Sequence, residues 1–189
     1  IGATLLITDT SYETYFEATQ FLHFLLGPAT VALALPLYRR VAKLRRLLGP
    51  ISVALVAGSL TAIASAVGLA WLLGASDVTI RSLAPKSVTT AIAMGVSEQV
   101  AGLPSLTAVL VILTGIVGAS IAPPILKVLG ITDASAKGFA MGVASHGIGT
   151  ARAFEMNEET GAFSGLGMGL NGILTAILIP LLAKLLGWI

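Results

Sequence analysis

Three short polar clusters interrupt an otherwise apolar chain, and each could do chemistry. The first is Pro85-Lys86-Ser87-Val88-Thr89-Thr90. Proline followed by Ser/Thr is a helix-start signal, and the free N–H groups and positive dipole end at a helix start favour an anion. Lys86 adds a full charge, and Ser87, Thr89 and Thr90 add hydroxyl donors. A capped helix with a lysine snorkelling to the interface accounts for the same residues without a ligand. The second cluster is Ser145-His146-Gly147-Ile148-Gly149-Thr150. Gly147 and Gly149 weaken a helix by roughly 1 kcal/mol each relative to alanine and let another backbone come close. His146, inside an apolar run, needs a cavity or a partner. It can donate to a carboxylate and titrates near neutral pH; alternatively it ties its helix to a neighbouring carbonyl. The third cluster is His23 with Gly27-Pro28-Ala29-Thr30, where proline predicts a broken or kinked helix. Asn171, mid-way along an apolar run, is a further candidate for lining a cavity.

Those residue types suit binding better than catalysis. The sequence holds no Ser/His/Asp order, no paired carboxylate within an apolar run, no His-x₃-His spacing and no phosphate loop. Ser145 and His146 are adjacent, so in a helix they point to different faces and cannot meet as nucleophile and base. With no cysteine and two histidines, neither disulfides nor a metal centre is expected, and no cofactor motif is present. A net charge of +2 without a polybasic tail argues against nucleic acid. The expectation is a protein that is not an enzyme.

The elements that must position these clusters are membrane helices. The 189 residues include only 11 basic and 9 acidic ones against 56 % hydrophobic residues, and the mean hydropathy is +0.94. A soluble domain carries about 25 % charged residues, so a water-soluble fold is excluded. Residues 18–38, 47–76, 99–126 and 160–183 are long charge-free runs, whereas 87–97 and 138–151 are short ones. A span needs about 20 apolar residues, and shorter runs read as buried or re-entrant segments. None of the runs alternates as a lipid-facing strand does, so the expected fold is all-α: a polytopic helical bundle with discontinuous helices, forming one domain over 1–189. Residues 1–8 read as the end of a helix that begins before this chain. Arg39, Arg40, Lys43, Arg45 and Arg46, with no acid among them, place 39–46 on the cytoplasmic side. Residues 9–17 and 77–86 then fall on the other side. Glu155, Glu158 and Glu159 read as a solvated loop, and Gly165, Gly167, Gly169 and Gly172 as a tight helix contact.

An internal repeat gives the short runs a role. Residues 108–130 and 165–187 align without a gap and share Leu113/Leu170, Gly115/Gly172, Ile116/Ile173, Ala119/Ala176, Pro123/Pro180, Lys127/Lys184, Leu129/Leu186 and Gly130/Gly187. Each is preceded by a short run carrying Ala-Met-Gly-Val, at 93–96 and 140–143. Carriers are often built from such repeats, with discontinuous helices at the substrate site. If 138–151 turns back without crossing, the long helices are antiparallel and the repeat is inverted; if it crosses, they are parallel. Residues 85–100 and 138–152 are each expected to contain a break, and the two breaks to approach each other, because irregular backbone at membrane depth needs cover.

The strings Leu25–Tyr38, Pro85–Thr90 and Ala144–Ala151 resemble the LrgB/CidB family, and the resemblance extends from about Ser11 to Leu186. It implies an additional N-terminal membrane segment that this sequence lacks, and a proline where Ala91 stands. Two functions are implied. One is an antiholin- or holin-like protein that acts with an LrgA/CidA-type membrane subunit on murein hydrolases and lysis. The other is a carrier, since the plastid glycolate/glycerate translocator is similar in its C-terminal half. The matched short helices favour the carrier, because a pore of oligomerising helices would not need them. The expectation is an alternating-access carrier of small 2-hydroxy- or 2-oxo-monocarboxylates. It would be multi-pass in the bacterial inner membrane, or the chloroplast envelope in a plant, and either a homo-oligomer or paired with the second subunit. Its expected binding residues are Lys86, Ser87, Thr89, Thr90, Ser145, His146, Gly147, Gly149, Thr150 and Asn171.

Overall fold

The computed structural model describes residues 7–9, 11, 14, 17, 20–32 and 34–188. It is helical, with no strand among the described residues, and divides into two compact units, Ile1–Leu35 and Pro36–Ile189. The first unit contains α1, Gln20–Ala32, which stays helical through Pro28. The missing amide costs this helix one bond without breaking it. The side chains of His23, Gly27 and Thr30 lie outside the described ones, as do residues 1–6. A short α2, Ala34–Tyr38, follows.

The remaining helices are α3 (Val41–Leu72), α4 (Asp77–Leu83), α5 (Thr90–Gln99), α6 (Pro104–Val128), α7 (Ala134–Met156) and α8 (Glu158–Leu185). Three of them, α3, α6 and α8, are long and apolar enough to cross a membrane. Their ends are chemically marked. Pro104 opens α6, where a missing amide is harmless. Asp133 caps α7 through the Ala136 amide at 2.9 Å, and Asn157 caps α8 through the Thr160 amide at 2.8 Å.

The repeat is visible in the way α6 and α8 end. Gly130 and Gly187 have φ of +67° and +70°, a conformation that glycine adopts without steric cost. Gly130 N–H donates to Lys127 O at 3.1 Å and Ile131 N–H to Leu126 O at 3.0 Å. In the second copy Gly187 N–H donates to Lys184 O at 3.3 Å and Trp188 N–H to Ala183 O at 2.8 Å. The same helix-ending motif therefore closes both copies at aligned positions.

The helix α7 reverses direction. His146 has φ 42° and ψ −134°, and the chain is helical on either side of it. Gly138 and Gly142 on the first arm lie against the backbone of Thr160 and Ser164, so this arm runs parallel to α8. On the second arm Phe154 lies against Gly161, Thr150 bonds Ser164 at 3.0 Å and Gly147 faces Met168, so this arm runs antiparallel. Met141 and Gly149 touch across the hairpin. Both of its ends come to one place: Lys43 Nζ donates to Asp133 at 2.9 Å and to Glu159 at 2.7 Å. At 1.5 Å per residue each arm is about 15–18 Å long, half a bilayer core.

The chain from Ala84 to Val100 re-enters from the other end of α8. Ala84, Val96 and Val100 share one buried cluster with Ile179 and Ala183. Ser82 and Ser97 meet at Thr107, whose hydroxyl lies 3.0 Å from Ser82 O and 2.7 Å from Ser97 Oγ. Between those ends the chain reaches inward to Asn171, which donates to Ser87 O at 3.2 Å, while Ile92 packs at Gly172. The helix starts at Thr90, later than the proline suggested. Lys86 N–H turns back to Leu83 O and Val88 N–H to Pro85 O, and Thr89 is extended with ψ 146°.

The acids after α7 are not a free solvated loop. Glu158 and Glu159 open α8 and pair with Arg39 at 3.4 Å, Arg40 at 2.9 Å and Lys43, while Glu155 pairs with Arg152. Asp133 accepts from the Ser135 hydroxyl, the Lys43 ammonium and the Ala136 amide, which together hold its carboxyl well below the usual carboxylate range. A depressed folded pKa contributes stability that is complete above the unfolded value, 3.8, and is lost as pH falls through it toward the folded value. Acidification of the purified protein from about pH 5 to pH 3 should therefore lower the melting temperature. Asp133→Asn should remove that part of the decline; an unchanged acid limb in this variant would mean that other carboxylates carry it.

Candidate functional site

The two re-entrant segments meet at the middle of α8, and Asn171 joins them. Its Nδ2 donates to Ser87 O in the first segment and, at 3.0 Å, to Val143 O beside the hairpin tip. The sequence expectation of two breaks that approach each other is what the geometry shows. It was not legible that a side-chain amide ties them, nor that Ser59 of α3 donates to Asn171 Oδ1 at 2.6 Å. A serine in the middle of a long apolar helix was the available signal.

Around this junction the candidate residues divide by whether their polar groups are already used. Lys86 is half-buried and has no carboxylate partner among the described residues, where the one hydrogen bond of its ammonium goes to Ser87 Oγ, at 3.4 Å. Thr89 caps α5 by position only, since its hydroxyl does not bond the helix amides, and Thr90 begins the helix. The start of α5 thus keeps unused donors beside an unpaired cation.

His146 is 4 % exposed, and its Nε2 lies 2.9 Å from the Val111 carbonyl of α6. A carbonyl only accepts, so Nε2 carries the proton, and in the neutral ring Nδ1 is the acceptor. The tie to a neighbouring helix is therefore real, and it leaves Nδ1 without a hydrogen bond among the described residues. A non-glycine residue at this φ costs of order 1–3 kcal/mol. The surrounding contacts hold it: a Cβ on Gly115 would come within 2.7 Å of the imidazole Cε1, and one on Gly118 would overlap Ser145 Oγ. The histidine and serine are pressed into the two glycines of α6. Ser145 Oγ is buried there without a hydrogen-bond partner among the described residues.

The remaining candidates are occupied in holding the hairpin together. Thr150 donates to His146 O at 2.8 Å and meets Ser164. At Gly149 a Cβ would meet Ser145 Cβ at 2.5 Å and Met141 O at 2.8 Å. Gly147 is looser, with only Met168 Sδ near, at 3.8 Å. One groove of about 400 Å³, between α3 and the first arm of α7, is lined by Leu47, Ile51, Gly58, Phe139, Val143 and others, and by none of the candidate residues. Its walls are mostly apolar, with Asp133 and Ser135 among them, so a carboxylate entering it would lose hydration for little return and meet another acid.

The model of the LrgB-like family matches residues 1–185. The chain belongs to this family. Among its relatives, YwbG of Bacillus subtilis (strain 168) is 39 % identical over 94 % of this chain and 79 % of its own length. The holin-like protein CidB of Staphylococcus epidermidis (strain ATCC 12228 / FDA PCI 1200) is 33 % identical over 96 % of this chain and 79 % of its own. The antiholin-like protein LrgB of Bacillus mycoides (strain KBAB4) is 31 % identical over 97 % and 80 %. No solved structure matches the chain. The LrgB-like assignment agrees with the resemblance carried by the three sequence motifs, and the three long apolar helices make this member a membrane protein.

Proposed function

We propose that this LrgB-like protein is an alternating-access carrier of small 2-hydroxy- or 2-oxo-monocarboxylates, of the glycolate, glycerate, lactate and pyruvate class. One observation carries the reading: segments entering from opposite ends of α8 meet at Asn171, beside an unpaired lysine and an open helix start. Broken backbone at that depth is tolerated where it lines a wet cavity or is covered by protein, and carriers place substrate there. With both ends of α7 tied to Lys43, α6 and α8 run in opposite senses, which supports an inverted repeat. In this reading Lys86 supplies charge, Ser87, Thr89 and Thr90 supply donors, and His146 offers Nδ1 to a hydroxyl or its protonated form to the carboxylate. The carrier sits in the plasma membrane and works as a homo-oligomer or with an LrgA/CidA-type subunit.

A second reading is favoured by the relatives' names: a holin- or antiholin-like membrane protein in the control of lysis. Ligand-dependent stability separates the two, because a ligand that binds only the native state raises the melting temperature by mass action. For the carrier, at least one of glycolate, glycerate, lactate or pyruvate stabilises the purified protein, and the rise grows with its concentration. Indifference to all four, while chloride and acetate are equally inert, favours the lysis-linked reading.

A further inference from the structure

Asn171 is 1 % exposed, and its amide has no valence left for a ligand. Both hydrogens of Nδ2 are donated, to Ser87 O at 3.2 Å and Val143 O at 3.0 Å. Oδ1 accepts from Ser59 Oγ at 2.6 Å and from Thr175 Oγ1 at 3.3 Å. The partners come from α3, from each re-entrant segment and from α8 itself. A primary amide is the side-chain group that offers two donors and a two-lone-pair acceptor on one planar carbon; a hydroxyl has one donor and a carboxylate none. The residue type is thus matched to holding two carbonyls at once.

We propose that Asn171 is a positioning residue that couples the two re-entrant segments. One rigid amide holds the Ser87 carbonyl and the Val143 carbonyl, so a displacement of either break is passed to the other. Lys86, one residue before Ser87, and His146, three residues after Val143, consequently keep one spacing and move as one site. The consequence for transport rests on the carrier reading above. The coupling itself does not, and it is measurable without any substrate.

The test is hydrogen–deuterium exchange on the full chain, with strain introduced in one segment and exchange read in the other. Gly149→Ala loads strain inside the hairpin, since the atoms nearest its Cβ belong to Ser145 and Met141. With Asn171 present, this substitution should speed exchange at 143–149 and also at 85–92, by on the order of tenfold, the ratio that one unsatisfied buried group is able to produce. Asn171→Asp keeps the shape of the side chain but loses both donors. In that background 85–92 should already exchange fast, and Gly149→Ala should add nothing there. Residues 85–92 that ignore Gly149→Ala in the native background overturn the coupling, and this arm stands even if Asn171→Asp fails to fold. An equal response at 85–92 with and without the amide overturns it as well. A fold-wide rise in exchange that includes α3 along its length assigns Asn171 a merely structural role and rejects the proposal.

Discussion

Gly142→Ala should unfold the hairpin of this protein, although it adds a single methyl group. The new Cβ would stand 2.0 Å from Ser164 O, 2.8 Å from Ser164 C and 2.9 Å from Met168 N, all backbone atoms of α8. Backbone cannot turn aside as a side chain can. The second hairpin arm also rests on this stretch of α8 through Thr150 and Ser164, so moving α8 away from one arm breaks its contact with the other. Overpacking of this kind costs about 3 kcal/mol or more, against roughly 1 kcal/mol regained from alanine's helix propensity. Gly138→Ala should behave alike, with its Cβ 2.1 Å from Thr160 O. Gly95→Ala is the control: it lies inside α5 with nothing within 4 Å of its Cβ and should be neutral or stabilising. Thermal unfolding of the three purified variants decides this. Equal melting temperatures for Gly142→Ala and Gly95→Ala would mean that the two helices are not in backbone contact.

Lys86→Ala should weaken monocarboxylate binding by about tenfold to a hundredfold, the range for losing a hydrogen bond to a charged group. The reasoning rests on what already neutralises each lysine. Lys43 has Asp133 and Glu159, whereas Lys86 is half-buried with only the Ser87 hydroxyl at 3.4 Å. A cation kept from water without a counter-charge is costly, and an arriving carboxylate would relieve it. Lys184 is exposed in the last turn of α8, where water and the helix dipole satisfy it, and Lys184→Ala should leave affinity within about twofold. Affinity measured by titrating each variant with the acid that stabilises the native protein separates them, and equal values would remove Lys86 from the site.

Sequence periodicity and charge placement were enough for the membrane class, the positions of α3, α6 and α8, and the two places where helices must fail. Those features are local: a charge-free run, a His-Gly-Ile-Gly neighbourhood or a proline acts on its own few residues. The repeat was legible for the same reason, since Gly130 and Gly187 each impose the left-handed ending that closes their helix. Where sequence reading went astray, partners distant in the chain decided the outcome. The run Gly165, Gly167, Gly169 and Gly172 suggested one tight contact, yet Gly169 has nothing within 4 Å of its Cβ, while Gly167 touches Phe139 and Gly172 touches Ile92. The closest backbone approaches among the described glycines belong to Gly138 and Gly142; the Ala-Met-Gly-Val motif held Gly142 but did not mark it as a contact.

From the sequence by itself came the helical membrane fold, the LrgB-like resemblance and a set of candidate polar residues, some of which prove fully bonded. Only the tertiary structure decided that α7 turns back, because the decision lies in Lys43 meeting Asp133 and Glu159, 90 and 116 residues away. It alone gave Asn171 its place, since an amide's four hydrogen bonds are filled by whichever helices pack around it. It also decided that His146 spends Nε2 on Val111. Hydrophobicity selects which segments enter the membrane; the need to satisfy every buried carbonyl and amide inside it selects how they meet.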